Sequence, residues 1–469
     1  VRTSSSGPAG RAGAASERTA GSLALPLLVG GVFAFVSTRV AVRDSDVFWQ
    51  LATARDLLAR GFGRGDTFSW TAAGAPLASD QWLGQLLFYG AWLAGSWQGV
   101  VAFRALAVGA LVALVVLAAL DARRDRPLAA VLAALPAILL SRFVSVERPE
   151  LLGFACFALL VVLLRRGRRG SGRALVATVP LIALWANLHG SFALGVVLTG
   201  IACAEGWLRD RARRRVYLAV ALAAFVASLA TPAGLGGWTA PGFHFTQPPR
   251  EIQEWAVVDV RALPGILYAV ALAATLALAF VSPRAPLADA ALLLPVAFLS
   301  LTAVRQTPYL AIAAAPFIAA RLPWPRVPPS PPAGPRAALA GGLVALALLA
   351  GGVATAPAEP DLAGFPAGAL ATLPEGPGLL AQYDWGGFLI WYAPRTPVFV
   401  DGRLTPYLGT TLGEYRTVLA AAPGWREVLA RRGVRWLLVR PADPVAVRAL
   451  DLGWTVRSRA EDYLLIGVP

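Results

Sequence analysis

What most limits the fold of this chain is a series of long apolar runs separated by short arginine-rich links. Runs of membrane-crossing length fall near 22–38, 98–120, 127–143, 150–166, 174–188, 190–208, 216–231, 263–282, 287–303, 309–321 and 337–356. In lipid each run must satisfy its own backbone, so helix is the conformation open to it. The shorter ones are tolerated where neighbouring helices pack around them. Only 15% of the 469 residues are charged and 57% are apolar. Soluble domains carry about 25% charged residues, which excludes a single water-soluble globule. The expected fold class is an α-helical polytopic membrane protein, about eleven transmembrane helices, with a small C-terminal α/β soluble domain.

The net charge of +15 comes from arginine alone, because the chain contains no lysine. Arginine placement orients the spans through the positive-inside rule. The apolar stretch 82–93 is ambiguous, since a span there would reverse every later one. With 82–93 lying in the interface, the inner side receives 20 Arg against 6 acids, and the outer loops hold 10 of each. The part from 357 onwards holds 11 of each. The basic excess is therefore a topology signal for a multi-pass protein of the bacterial cytoplasmic membrane, N-terminus inside and C-terminal domain outside. Nucleic acid is not a partner that this charge requires, because the clusters sit in short links between spans. Cys156 and Cys203 both lie inside apolar runs, so no disulfide framework exists.

Composition divides the chain further. Residues 1–21 are small, polar and basic, as in a disordered cytoplasmic tail. The run after it lacks a small-residue cleavage site, which implies an uncleaved first span. Residues 22–356 form the bundle, including an outer loop at 39–97. In that loop Val47, Phe48, Leu51, Ala54 and Leu58 share a helical face. Trp49, Trp70, Trp82, Tyr89 and Trp92 accompany them, a pattern expected of helices lying in the outer interface. The Pro-rich stretch 323–336 reads as a stiff inner connector. Residues 357–469 form an extracytoplasmic α/β domain, with strand-like runs at 379–382, 388–391, 398–400, 436–439 and 463–466. Helical stretches near 411–421, 424–432 and 444–450 lie between them.

Polar groups at the outer ends of spans are costly unless they have a task or a partner. Asp44 and Asp46, just beyond the first span, could take a proton from an acceptor nucleophile or hold a divalent cation. Their structural alternative is the cap of the following helix. Arg142, Arg148 and Arg305 at outer span ends suit a lipid phosphate; pairing with Glu147 or Glu150, or snorkelling, is the alternative. His189 in WANLHG is either a site-lining group or a hydrogen-bonded packing residue. In the C-terminal domain Asp384 and Asp401 stand beside glycines, at loop tips where ligands are commonly read. Asp-Gly is also ordinary turn chemistry, and Arg403 could pair with either carboxylate. No HExxH, P-loop, GxSxG or CxxC occurs, which leaves zincin, nucleotide-hydrolase, serine-hydrolase and thiol-redox readings without support.

The segments DSDVFWQLATARDLLARG, DTFSWTAAGAPLASDQWLGQLLFY, RPELLGFACFALL, WANLHGSFALG and YDWGGFLIW…PVFVDGR resemble the integral-membrane glycosyltransferases of the C type. Protein O-mannosyltransferases, the aminoarabinose transferase of lipid A and the catalytic subunit of oligosaccharyltransferase are among its members. The resemblance covers nearly the whole chain after the tail and is specific for the family, not for a substrate. It implies that the outer-loop acidic pair is Asp44 and Asp46, one of them base or metal ligand towards the acceptor. It implies a polyprenyl-phosphate-linked sugar donor, consistent with Arg142, Arg148 and Arg305. Asp80, Gln81 and Trp82 occupy the place of a second motif. Tyr383, Asp384 and Trp385 resemble the oligosaccharyltransferase motif that reads the acceptor peptide, with its first Trp absent and Tyr and Trp exchanged.

The expected function is a membrane glycosyltransferase acting from a lipid-linked sugar donor towards an acceptor, itself unidentified, on the outer face. The competing class is a non-catalytic membrane scaffold or envelope-assembly protein. A divalent metal at Asp44 and Asp46 is the one cofactor implied, and the bilayer is the other expected partner. Reporter fusions at Gly170 and after Pro469 are expected to register opposite compartments. The same compartment for both would mean that the span count is wrong by an odd number.

Overall fold

A computed structural model describes residues 23–63, 65–75, 81–123, 125–144, 147–239, 241–242, 253–281, 287–322 and 334–469. The tail at 1–21 and nearly all of the Pro-rich connector lie outside the described residues. In chain order the helices are α1 (Ala24–Ser37), α2 (Ser45–Arg60), α3 (Trp82–Ala122), α4 (Pro127–Val144), α5 (Pro149–Arg168) and α6 (Gly172–Val176). They continue as α7 (Thr178–Leu188), α8 (Phe192–Arg209), α9 (Arg214–Ser228), α10 (Leu263–Val281), α11 (Leu287–Thr302) and α12 (Thr307–Arg321). The last are α13 (Pro335–Ala354), α14 (Gly386–Tyr392), α15 (Thr410–Leu419), α16 (Trp425–Arg432) and α17 (Pro444–Asp451). The chain forms two compact units: Val1–Ala41, Asp80–Gly84 and Ala91–Ala358 in one, Val42–Ser79, Gln85–Gly90 and Glu359–Pro469 in the other.

The first unit is a helix bundle. Each of the eleven apolar runs contains a helix, and four described helices, α3, α8, α10 and α13, are long and apolar enough to cross a membrane. Helix ends follow their charge pattern. Helix α5 opens on Pro149 with Glu150 in its first turn and closes on Arg165, Arg166 and Arg168, charges that complement the helix dipole. Packing relies on aromatic and small residues together. Phe154 and Phe157 set their rings 4.8 and 5.1 Å from that of Tyr309, with Trp185 and Phe192 fully buried in the same core. Helices α1 and α13 approach closely: a Cβ on Gly31 would stand 2.7 Å from that of Ala345. Helix α3 is broken at Gly95 and Ser96, where Ser96 takes φ +50°. The break divides the ambiguous stretch 82–93 from the run at 98–120.

The second unit joins the loop after α1 to the C-terminal residues. It therefore differs from a division at 357, because α2 buries its apolar face on α14. Val47, Phe48, Leu51 and Ala54 are fully buried. The ring of Phe48 lies 5.4 Å from Phe365, 5.9 Å from Phe388 and 5.7 Å from Tyr392. This face is covered by protein, so α2 does not present it to lipid as an interfacial helix would. Leu58 is an exception to the expected face and is 62% exposed. Helix α14, seven residues long against sixteen for α2, covers only about half the length of α2 at roughly 1.5 Å per residue.

A four-stranded sheet of order β1-β2-β4-β3 completes this unit, with β1 (Leu379–Ala381), β2 (Trp436–Val439), β3 (Val456–Arg459) and β4 (Leu464–Gly467). Strand β1 pairs parallel with β2, and β2–β4 and β4–β3 are antiparallel. Three details differ from the sequence pattern. The run 388–391 is helix α14, because a short all-apolar segment has no period to separate strand from helix and it is buried on every side. Residues 398–400 form no strand of their own; Val398 makes isolated parallel bridges to Ser69 and Leu379. Strand β3, reading VRSR, is an edge strand with alternating burial and too few apolar residues to be recognised. Phe48→Ala is expected to destabilise the chain by about 3–5 kcal/mol. Denaturant unfolding followed by tryptophan fluorescence measures this, and a change under about 1 kcal/mol would mean that the α2–α14 packing carries little stability.

Candidate functional site

Three of the sequence motifs meet in the second unit. Asp44 is the N-cap of α2, extended at φ −71° and ψ 126°, and its Oδ1 accepts the Asp46 backbone N–H at 2.8 Å. Asp44 thus performs the cap. Asp46, one position into the helix, has its Oδ1 against the backbone of Gly402, where a Cβ would collide with it. The same absent Cβ would lie 3.1 Å from Trp49 Nε1, a buried donor with no hydrogen-bond partner among the described residues. The double glycine of YDWGG makes the other approaches. A Cβ on Gly386 would stand 2.6 Å from Asp401 Cα, and one on Gly387 would stand 2.6 Å from the Ser45 carbonyl oxygen. Close backbone approach requires glycine at 386 and 387, whereas at Gly402 the near neighbours are the side chains of Asp46 and Trp49.

Behind Gly402 lies a buried charge network. Asp401 is fully buried. Its Oδ1 accepts the Arg403 backbone N–H at 3.0 Å and Nε–H at 2.7 Å, and its Oδ2 accepts from Arg403 NH2 at 2.5 Å. The Tyr407 hydroxyl also donates to Asp401 Oδ2. Arg403 reaches a second buried carboxylate, Asp66, at 2.9 Å and 3.0 Å. Burial opposes the charge on Arg403, but Asp401, Tyr407 and Asp66 outweigh it and hold the guanidinium pKa above its ordinary value. Asp66 was not among the residues expected here. Its signal was its place in DTFSW, where the nearby Arg60 and Arg64 gave no hint of the distant Arg403.

In the bundle, Trp82 and Gly84 also meet the RPE and WANLHG segments. Trp82 Nε1 donates to Asn187 Oδ1 at 2.8 Å, and a Cβ on Gly84 would stand 2.7 Å from that of Pro149. Arg148 pairs with Glu254 at 2.8 Å, and Arg305 pairs with Glu254 at 2.8 Å and Glu150 at 3.0 Å, its guanidinium 4.6 Å from the Trp255 ring centre. Both arginines are thus engaged with carboxylates of the bundle. Arg104, deep in α3, pairs with the fully buried Glu147 and donates to the Ser37 carbonyl at 2.7 Å. Arg104 lies inside the apolar run 98–120, outside the links and loops whose arginines orient the spans. His189 Nδ1 accepts the Ser191 backbone N–H at 3.2 Å and lies 2.8 Å from Ser191 Oγ, which serves the turn between α7 and α8.

The remaining expected residues are dispersed. Asp80 and the side chain of Arg142 lie outside the described residues, and Gln81 immediately precedes α3. Trp385 is buried, donating from Nε1 to the Gly364 carbonyl at 2.7 Å. The backbone N–H of Tyr383 donates to the Tyr415 hydroxyl at 2.7 Å. Asp384 is exposed and pairs with Arg440 at 2.5 Å. Among the described residues no group of three or more His, Cys, Asp or Glu side chains could hold a metal ion. Asp44 and Asp46 supply two carboxylates, which is the protein share of a water-rich Mg²⁺ site rather than of an all-protein cage.

No protein-family model matches the chain, and no curated protein does. Among solved structures the chain is similar to ArnT from Cupriavidus metallidurans in the apo state, with 14% identity and a TM-score of 0.48, covering 93% of this chain and 96% of that one. It is also similar to the Archaeoglobus fulgidus oligosaccharyltransferase in the apo form, with 12% identity, a TM-score of 0.46, and 88% and 69% of the two chains covered. The same enzyme tethered to an acceptor peptide containing the NVT sequon gives 12% identity, a TM-score of 0.46, and 88% and 68% coverage.

Burial, reinforced by the charge of Asp401, pushes the Tyr407 hydroxyl above its ordinary pKa. A raised value means that the folded state holds this proton more tightly than the unfolded chain does. The associated stability is complete below about pH 10, the unfolded value, and is lost as pH rises beyond it. Unfolding measured between about pH 8 and pH 11 is expected to show that loss. Tyr407→Phe is expected to remove part of the slope above about pH 10; an unchanged slope would show that the proton is not held there.

Proposed function

We propose that this chain is an inner-membrane glycosyltransferase of the C type, with eleven spans and the C-terminal domain outside. It transfers a sugar from a polyprenyl-phosphate-linked donor to an acceptor on the outer face. One observation carries the reading: the carboxylate of Asp46 stands against Gly402 beside the buried indole N–H of Trp49, brought together by the segments DSDVFWQ and PVFVDGR. Asp44 is committed to the cap, so Asp46 is the base. It takes the proton of the acceptor nucleophile, whose lone pair attacks the anomeric carbon from the face opposite the leaving group. The bond from that carbon to the phosphate oxygen breaks, its electrons leave with the polyprenyl phosphate, and the configuration inverts. Trp49 Nε1 donates to an oxygen of the bound substrate, which supplies the partner that this buried donor otherwise lacks.

In the bundle, Arg148 and Arg305 are assigned to the donor phosphate, with Glu254, which both of them share, giving way as the phosphate arrives. Charge-assisted contacts from arginine stabilise the negative charge that grows as the glycosidic bond breaks.

Asp46→Asn is expected to lower sugar transfer by about 10²–10⁴-fold, the usual worth of a general base, with unchanged protein level. Asp44→Asn keeps a capping side chain and is expected to retain most activity. Asp44→Ala is expected to cost about 1 kcal/mol of stability. Transfer from a polyprenyl-phosphate-sugar pool in membranes measures the first two. Normal transfer by Asp46→Asn would overturn the assignment of Asp46 and favour a scaffold without catalysis.

A further inference from the structure

At the end of the bundle that carries the link 165–173, residues of α5, α8, α11 and α12 line a small open cleft. Leu198, Leu293 and Phe317 form apolar walls, and Arg165, Arg168 and Asp289 form its polar part. The polar part is not electrically balanced. Arg168 pairs with Glu205 at 3.2 Å and Asp289 at 3.3 Å, Arg321 takes the other Asp289 oxygen at 3.2 Å, and Arg209 takes the other Glu205 oxygen at 2.5 Å. Four guanidiniums, counting Arg165, therefore lie around two carboxylates, an excess of two positive charges, and Glu205 Oε2 is buried within ion-pair distance of Arg168 without a hydrogen bond. The Nε–H of Arg165 is buried and has no hydrogen-bond partner among the described residues. A buried donor without a partner requires an explanation. A guanidinium is suited to a phosphate through two parallel hydrogen bonds.

We infer that this cleft binds an anionic glycerophospholipid, its phosphate on Arg165 and an acyl chain along Leu198, Leu293 and Phe317. The apolar walls select a lipid over a free anion, and the charge excess selects an anionic headgroup over a zwitterionic one. Basic pockets between membrane helices hold anionic headgroups by this combination. The inference rests on the bundle lying in a membrane and is independent of the catalytic reading, because none of its residues takes part in sugar transfer.

The test uses the full chain in neutral detergent, titrated separately with dioleoylphosphatidylglycerol, dioleoylphosphatidylcholine and inorganic phosphate, with melting temperature as the readout. Dioleoylphosphatidylglycerol is expected to raise the melting temperature, and the other two probes are not. Arg165→Gln is expected to raise the half-effective concentration of dioleoylphosphatidylglycerol about tenfold, the loss of a charge-assisted contact. Leu293→Trp, which fills the apolar part of the cleft, is expected to weaken the same response and keeps the test decisive if Arg165→Gln does not fold. Arg211→Gln, an exposed arginine after α8, is expected to leave the response unchanged. The site is overturned if either cleft variant responds as the unaltered chain does, or if Arg211→Gln weakens the response equally. Equal stabilisation by inorganic phosphate alone would make the occupant a free anion and overturn the lipid assignment.

Discussion

The guanidinium of Arg403, held between the buried carboxylates of Asp401 and Asp66, is the interaction on which the second unit depends. Asp66 lies 337 residues before Arg403, so this one side chain ties the loop after α1 to the C-terminal residues. Neutral contacts follow the same path. Thr71 Oγ1 donates to the Phe399 carbonyl at 2.5 Å, and Trp70 Nε1 donates to that of Leu379 at 3.3 Å. A charge in such surroundings is tolerated only when paired and hydrogen-bonded, and removing one partner leaves the others buried and uncompensated, a cost of about 3–5 kcal/mol. The network also sets the path of the Asp401-Gly402-Arg403 turn, and that turn is the wall against which Asp46 stands. Stability and the candidate site therefore share one electrostatic anchor.

The bundle handles charge in a similar way at its helix ends. Glu254 joins Arg148 and Arg305, Glu150 joins Arg305 again, and Asp121 accepts from Arg166 at 2.6 Å. Low-dielectric surroundings strengthen each of these pairs and penalise any group left out. The buried Nε–H of Arg165 stands apart from this arrangement, which is why its cleft carries information that the paired ends do not. The pairs of Arg148 and Arg305 impose a condition on any phosphate role, since a donor phosphate must compete with carboxylates already in place.

Much of the architecture was legible from local pattern. The apolar runs and the arginine links marked every helix of the bundle that they were read as marking, because a backbone in lipid has so few options. The helices α15, α16 and α17 were legible from their period and flanking residues. The cap at Asp44 was also legible, from an acidic residue directly before an apolar-periodic stretch. The candidate site was legible only in part. Asp46, Asp401 and Arg403 stood out as charged residues beside glycine or at a helix start, but nothing local connected them.

The sequence by itself determined which segments become bundle helices and where the glycines that permit close approach would sit, since both follow from properties of neighbouring residues. The tertiary structure alone decided that residues 388–391 are helix α14 rather than strand, that Leu58 faces outward, and that Arg148 and Arg305 are engaged with Glu254 and Glu150. It also decided that Asp66 completes the charge network and that Asp46 meets Gly402. These outcomes depend on which distant side chain satisfies which buried charge, and on which surface covers which apolar face. Spacing along the chain does not encode either choice, because the partners lie tens to hundreds of residues apart and are selected by packing and desolvation together.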